Sequence, residues 1–181
     1  MKKPRLLFFA AAFVAATALL AGCASAPTPA DYAAEQPALD LKTYFNGPMV
    51  AHGIFTDRAG KVVRRFTVQM TGTWTGKQGV LDERFTYSDG KTERRVWKLT
   101  DEGNGRWSGR ADDVVGVAEG RSAGNALNWR YTLSLPVDGK VYEVQFDDWM
   151  YLMDDKVMLN KAVMSKFGIY LGEVTLSFYK P

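Results

Sequence analysis

The sequence predicts an all-β fold: an antiparallel, up-and-down, barrel-like meander of about nine to ten strands, preceded by a signal peptide and a flexible tether. Three observations predict it. From Met49 onward, short segments alternate apolar and polar residues, and no long stretch carries the helical period. Gly60-Lys61, Ser88-Asp89-Gly90, Gly103-Asn104-Gly105, Asp138-Gly139 and Asp154-Asp155 separate those segments with residues suited to tight hairpins. Consecutive hairpins without a helical crossover favour closure, because a closed sheet has no exposed edges to protect. A two-sheet sandwich is the alternative.

Residues 1–22 form the first element. Lys2, Lys3 and Arg5 precede an uncharged run from Leu6 to Leu20, too short to span a bilayer comfortably, and small residues follow it. This is the pattern of a segment that is removed. Leu20-Ala21-Gly22-Cys23 resembles the lipobox of bacterial lipoproteins, and the resemblance implies that Cys23 is acylated and becomes the mature N-terminus. Two or three acyl chains hold a protein on a membrane almost irreversibly, since each buried CH2 contributes roughly 0.8 kcal/mol. Ala24 stands where an inner-membrane retention signal would carry aspartate, so the expected location is the periplasmic side of the outer membrane, with the membrane as partner through the lipid anchor.

Loss of the signal changes the charge balance. The full chain carries 23 basic and 20 acidic residues, and three basic residues leave with the signal, so the mature protein is neutral overall. A nucleic-acid partner is therefore not expected. Cys23 is the only cysteine, so its acylation leaves no thiol for disulfide, redox or thiolate-metal chemistry. Residues 23–41 hold Pro27, Pro29 and Pro37 among alanines and small polar residues and read as the acylated cysteine with its tether. Residues 42–181 read as a single barrel-like domain, long enough to bury a real core.

Each strand then shows one apolar face. Val62, Phe66, Val68 and Met70 share one; Leu81, Phe85 and Tyr87 a second; Leu127, Trp129, Tyr131, Leu133 and Leu135 a third. Tyr142, Val144, Phe146, Met150 and Leu152 form a fourth, and Tyr170, Val174, Leu176 and Phe178 close the chain. A two-residue loop at Asp138-Gly139 pairs Val137 with Lys140 and sets Tyr131 opposite Phe146 and Trp129 opposite Asp148. At Ser88-Asp89-Gly90 a two-residue loop would put Phe85 and Tyr87 on the face opposite Trp97 and Leu99, whereas a three-residue loop ending at Gly90 aligns Leu81 with Trp97 and sets Glu83 against Arg95, both then facing inward.

Such inward charges are the informative anomalies. An inward ion pair needs good hydrogen bonds to offset desolvation of several kcal/mol per charge. Asp148 falls on the apolar face between Phe146 and Met150, and Asn125 is in phase with Leu127 and Trp129. The Asp154-Asp155 turn leaves open whether Asp148 faces Asn160 or Lys161. Convergent polar residues on an apolar wall describe a ligand pocket, here Glu83, Arg95, Asn125, Asp148 and Asn160 with Trp129, Phe146 and Met150. A satisfied network that sets strand register selects the same residue types.

Catalytic constellations are scarce. His52 is the only histidine, which removes histidine-based zinc sites and leaves serine nucleophiles a single possible base. Asp112-Asp113 and Asp147-Asp148 are adjacent pairs whose side chains alternate faces in a strand, so neither presents two carboxylates to one substrate. No catalytic residue, metal or cofactor is assigned. Gly72-Thr73-Trp74 and Gly105-Arg106-Trp107 resemble the lipocalin Gly-x-Trp signature, in which tryptophan plugs a barrel end. Filling of a β core is the plainer reading of both.

A closer resemblance covers about Tyr44 to Phe178. Phe45-Asn46-Gly47, Ala51-His52-Gly53, Leu81-Asp82-Glu83-Arg84-Phe85, Arg95-Val96-Trp97, Gly109 to Val114, Gly124-Asn125-Ala126, Asp147 to Tyr151, Asn160-Lys161 and Lys166-Phe167-Gly168 together resemble the DUF3833 family. The resemblance implies a bacterial lipoprotein without an assigned activity and a lipid-related role. Its motifs contain Glu83, Arg95, Asp113, Asn125, Asp148 and Asn160, which adds Asp113 to the polar positions picked by register. The expected function is binding or carriage of a hydrophobic small molecule or lipid. The alternatives are an envelope accessory protein with a filled core, its protein partner unnamed by the sequence, and a cofactor-independent lyase or isomerase using Asp148 or Glu83 as base.

Overall fold

The computed structural model describes residues 26–137 and 139–181. After a four-residue helix α1 (Leu41–Tyr44), ten strands follow: β1 (Gly47–Asp57), β2 (Val62–Thr75), β3 (Gln78–Tyr87), β4 (Thr92–Gly103), β5 (Arg106–Arg110), β6 (Ala118–Ala123), β7 (Ala126–Val137), β8 (Lys140–Leu152), β9 (Val157–Lys166) and β10 (Ile169–Tyr179). Each pairs antiparallel with the next, and β10 returns to β1, so the meander closes into a barrel. Closure, and not a sandwich, is the outcome. The expected signal at 1–22 and the expected lipidation site Cys23 lie outside the described residues.

Period-two patterning decides what fills the interior. Met49, Val68, Met70, Leu81, Trp97, Leu127, Trp129, Phe146, Met158 and Phe178 are buried on inward faces of eight different strands. The register of the β7–β8 hairpin occurs as expected, with Tyr131 opposite Phe146 and Trp129 opposite Asp148, and of the two β3–β4 registers the three-residue loop is the one that occurs, with Glu83 opposite Arg95 and Leu81 opposite Trp97. Across β8 and β9, Asp148 faces neither of the two expected residues. Ala162 stands directly opposite it, and Asn160 opposes Met150, two residues along β8.

One end of the barrel is plugged. Asp40 caps α1 by accepting hydrogen bonds from the Lys42 and Thr43 amides, and Leu41, Tyr44 and Phe45 are buried there. Trp74 and Trp107, the tryptophans of the two Gly-x-Trp triplets, meet edge to face with centroids 6.0 Å apart. The Trp74 indole donates to the Phe45 carbonyl and the Trp107 indole to Ser122 Oγ. The turns joining β2–β3, β4–β5, β6–β7 and β8–β9 lie at this end. The opposite end carries the remaining turns and the segment 111–117; it is the loop end.

The stretch expected as a tether is seated on the wall over part of its length. A 3-10 turn at Pro29–Tyr32 places the Tyr32 ring 5.7 Å from Trp149 and 5.3 Å from Tyr151, and the two tyrosine hydroxyls lie 3.3 Å apart. The Leu39 amide donates to the Gly124 carbonyl at 2.8 Å. Gly124 has φ +52, and a Cβ there would stand 1.7 Å from the Tyr32 carbonyl oxygen. Composition hides this seating because a single aromatic ring, Tyr32, supplies the contact surface.

Candidate functional site

Strands β3, β4, β7, β8 and β9 turn polar side chains into the interior. Arg95 lies at the centre of the first group. Its Nε donates to both oxygens of Asp113 at 3.1 and 2.9 Å, and its Nη2 reaches Asp113 Oδ2 at 2.8 Å. Its Nη1 approaches Glu83 only to 3.9 Å, so Glu83 has the charge of Arg95 nearby without a close hydrogen bond from it. Burial therefore dominates, and the Glu83 carboxyl is pushed up to about 7, against the pull of Arg95. Burial also works against the charge of Arg95, but Asp113 and Glu83 together outweigh it and keep the guanidinium protonated.

The second group is Asp148 with Asn160. The Asn160 amide donates to Asp148 Oδ1 and, at 3.3 Å, to the Trp149 carbonyl, while Asn160 Oδ1 is buried without a partner among the described residues. Burial raises the Asp148 carboxyl to about 7; the Asn160 hydrogen bond opposes that rise and the charge of Glu83 adds to it. Tyr131 links the two groups. Burial lifts its hydroxyl well above the ordinary range; the charges of Asp148, Glu83 and Asp113 add to that rise and the charge of Arg95 opposes it. Nothing in the sequence marked Tyr131 as a polar site, because its ring also continues the apolar face of β7.

The other candidates take distinct places. Trp129 packs edge to face on Trp97 at 5.6 Å, and Phe146 stacks on Tyr131 with centroids 4.9 Å apart and planes 7° from parallel. Met150 is half-buried opposite Leu127. Asn125 does not join the cluster: it sits in the β6–β7 turn at the plugged end and donates to the Leu152 carbonyl at 3.2 Å, its own Oδ1 lacking a partner among the described residues. The interior around Trp129 and Phe146 is filled by these rings. Two concavities of about 640 and 460 Å³ lie along the outer wall, the larger bordered by His52, Arg65, Thr67, Thr86, Thr175 and Ser177, and neither is lined by Trp129, Phe146 or Met150.

The loop end is rimmed with apolar side chains that none of the described residues covers. Phe167 is 87% exposed at the tip of the β9–β10 hairpin, Val141 is 69% exposed, and Val63, Ile169 and Tyr170 are exposed beside them. Phe167 has φ +51 in a two-residue turn with Gly168, a position where asparagine is the usual choice. The Lys166 ammonium lies 4.6 Å over the Tyr142 ring and 5.3 Å from the Phe167 ring.

A closed ten-stranded antiparallel barrel, plugged by tryptophans at one end and holding a Glu-Arg-Asp cluster with Glu83 buried and Arg95 and Asp113 partly exposed, defines the class of protein. The chain belongs to the DUF3833 family, described as a protein of unknown function, whose profile matches residues 17–180. No curated protein matches the chain. Among solved structures, an S-type phycobiliprotein lyase from Guillardia theta is similar at 6% identity and TM-score 0.60, over 86% of this chain and 98% of that one. A DUF3598-family protein of unknown function from Nostoc punctiforme is similar at 12% identity and TM-score 0.51, over 86% of this chain and 53% of that one. At these identities the likeness concerns the fold alone.

Proposed function

We propose that the chain is an envelope lipoprotein, held through Cys23 at the periplasmic side of the outer membrane, whose barrel binds or carries a hydrophobic small molecule or lipid. The observation that carries this reading is the coupled interior cluster: Glu83, Arg95, Asp113, Tyr131, Asp148 and Asn160 converge between aromatic walls. Buried ion pairs rarely improve stability over apolar side chains of the same volume. Two carboxyls raised to about 7 and an amide oxygen without a partner among the described residues are what a site prepared for a ligand's polar group holds. Barrels with a few convergent polar groups suit amphiphiles. The test is native mass spectrometry with lipid extraction on protein purified from its native envelope. A stoichiometric hydrophobic molecule, lost in the folded Glu83→Gln/Arg95→Met double variant, is the expected result; a ligand-free protein refutes carriage.

The filled interior and the apolar rim favour a second reading, an accessory protein that docks another protein at its loop end. Crosslinking from a photoreactive side chain at position 167 in intact cells separates the two. A single protein adduct supports docking, and lipid adducts support carriage.

A further inference from the structure

The wall of the barrel is not laced evenly around its circumference. β5 pairs with β4 only from Lys98 onward, and β6 pairs with β7 only as far as Arg130. Residues 92–97 of β4 and 131–137 of β7 thus have no strand between them at the loop end. The segment 111–117 crosses that opening. An isolated bridge from Val114 to Leu133 holds it to β7, with the Val115 amide on the Thr132 carbonyl and the Ser134 amide on the Asp113 carbonyl, at 2.9 and 2.8 Å. Toward β4 it is held by Asp113 on Arg95. Ala111 and Val114 pack against the core, while Val115 and Val117 are exposed.

In this arrangement the segment presents one carboxylate to a largely buried guanidinium and two small apolar groups to the core. We propose that the segment 111–117 occupies the seat and side opening for an anionic amphiphile, a carboxylate on a hydrocarbon chain, whose head replaces Asp113 on Arg95 and whose chain replaces Ala111 and Val114. The proposal deepens the reading of the barrel as a carrier and rests on it. Carboxylate is the head that fits, because Asp113 already meets two adjacent donors of a planar fork. Exchange is favoured because Asp113 is partly exposed where it stands, so its carboxylate passes to water readily when the segment swings out. Nη1, only 3.9 Å from Glu83, leaves Arg95 a further donor for the incoming head. The filled interior is then no obstacle, since the ligand takes space that the segment vacates.

The test is a fluorescence titration of the full chain with dansyl-undecanoic acid and with its methyl ester. The acid is expected to bind about tenfold tighter than the ester. Asp113→Asn, which loosens the latch, should tighten the acid severalfold. Arg95→Met strips Glu83 of its counter-charge and threatens folding, so Glu83→Gln/Arg95→Met is measured beside it and should bind acid and ester equally. Equal binding of the two probes to the unaltered protein, unmoved by either change, overturns the Arg95 seat while carriage survives. Failure of both probes to bind either the unaltered protein or Asp113→Asn overturns both.

Discussion

Glu83→Gln tests how the barrel tolerates a carboxyl in its interior. In the folded protein burial holds this group near 7, whereas in the unfolded chain it ionises near its ordinary 4.5. Between those values the unfolded chain releases its proton first, so stability is complete below about 4.5 and declines as pH rises through about 7. The gap corresponds to about 3 kcal/mol lost by pH 8.5. Glutamine keeps the shape of the neutral acid and has no proton to lose. At pH 4.5 the variant and the parent should therefore unfold together, and at pH 8.5 the variant should be the more stable by up to about 3 kcal/mol, or roughly 6–12 °C for a domain of this size. Asp148 titrates in both proteins and largely cancels. Thermal unfolding followed by circular dichroism at both pH values reads the difference. A variant no more stable than the parent at pH 8.5 would mean that Arg95 holds Glu83 ionised despite the 3.9 Å separation, and the reasoning would fail.

Asn160→Leu removes the donor to Asp148 and should cost about 1–3 kcal/mol, more at pH 8.5 than at pH 6, because Asp148 is charged only above about 7; equal losses at both pH values in denaturant titrations would refute this. Gly124→Val puts side-chain atoms against the Tyr32 carbonyl and should release residues 29–40 to proteolysis while the barrel resists; unchanged protection of that stretch would show that the seating does not depend on the approach at Gly124. Phe167→Asn places a residue tolerant of the left-handed region at the hairpin tip and should raise stability by about 1 kcal/mol; an unchanged melting temperature would argue against strain at that turn.

The architecture was legible because it is written locally. Alternation along each strand and turn residues such as Gly90 and Gly139 set which face of each hairpin looks inward, and Glu83 against Arg95 follows from that arithmetic alone. The polar cluster was legible only in part. Asp148 was visible as a charge out of phase, but its reach to Asn160 runs diagonally across a pair, which depends on side-chain length and not on register. Asn125 keeps the right phase and ends in a turn at the wrong end, because phase carries no information on height along the barrel. Tyr131 was hidden by its ring, and the crossing of 111–117 was hidden because β5 and β6 are short and a loop does the work of the missing ladder. The seating of residues 29–40 was invisible to composition, since it depends on Tyr32 meeting Trp149 and Tyr151, partners more than a hundred residues away.

That seating fixes the length of the leash. With Cys23 anchored as proposed and Pro29 already lying on the wall, the barrel would begin only six residues on from the anchor, a reach of about 20 Å at full extension. Had the chain run free to Leu41, eighteen residues would span about 60 Å. On that proposal the shorter line, moored near the β6–β7 turn beside the tryptophan plug, would hold the barrel close to the lipid with its sealed floor toward the surface and its apolar rim facing outward into the compartment.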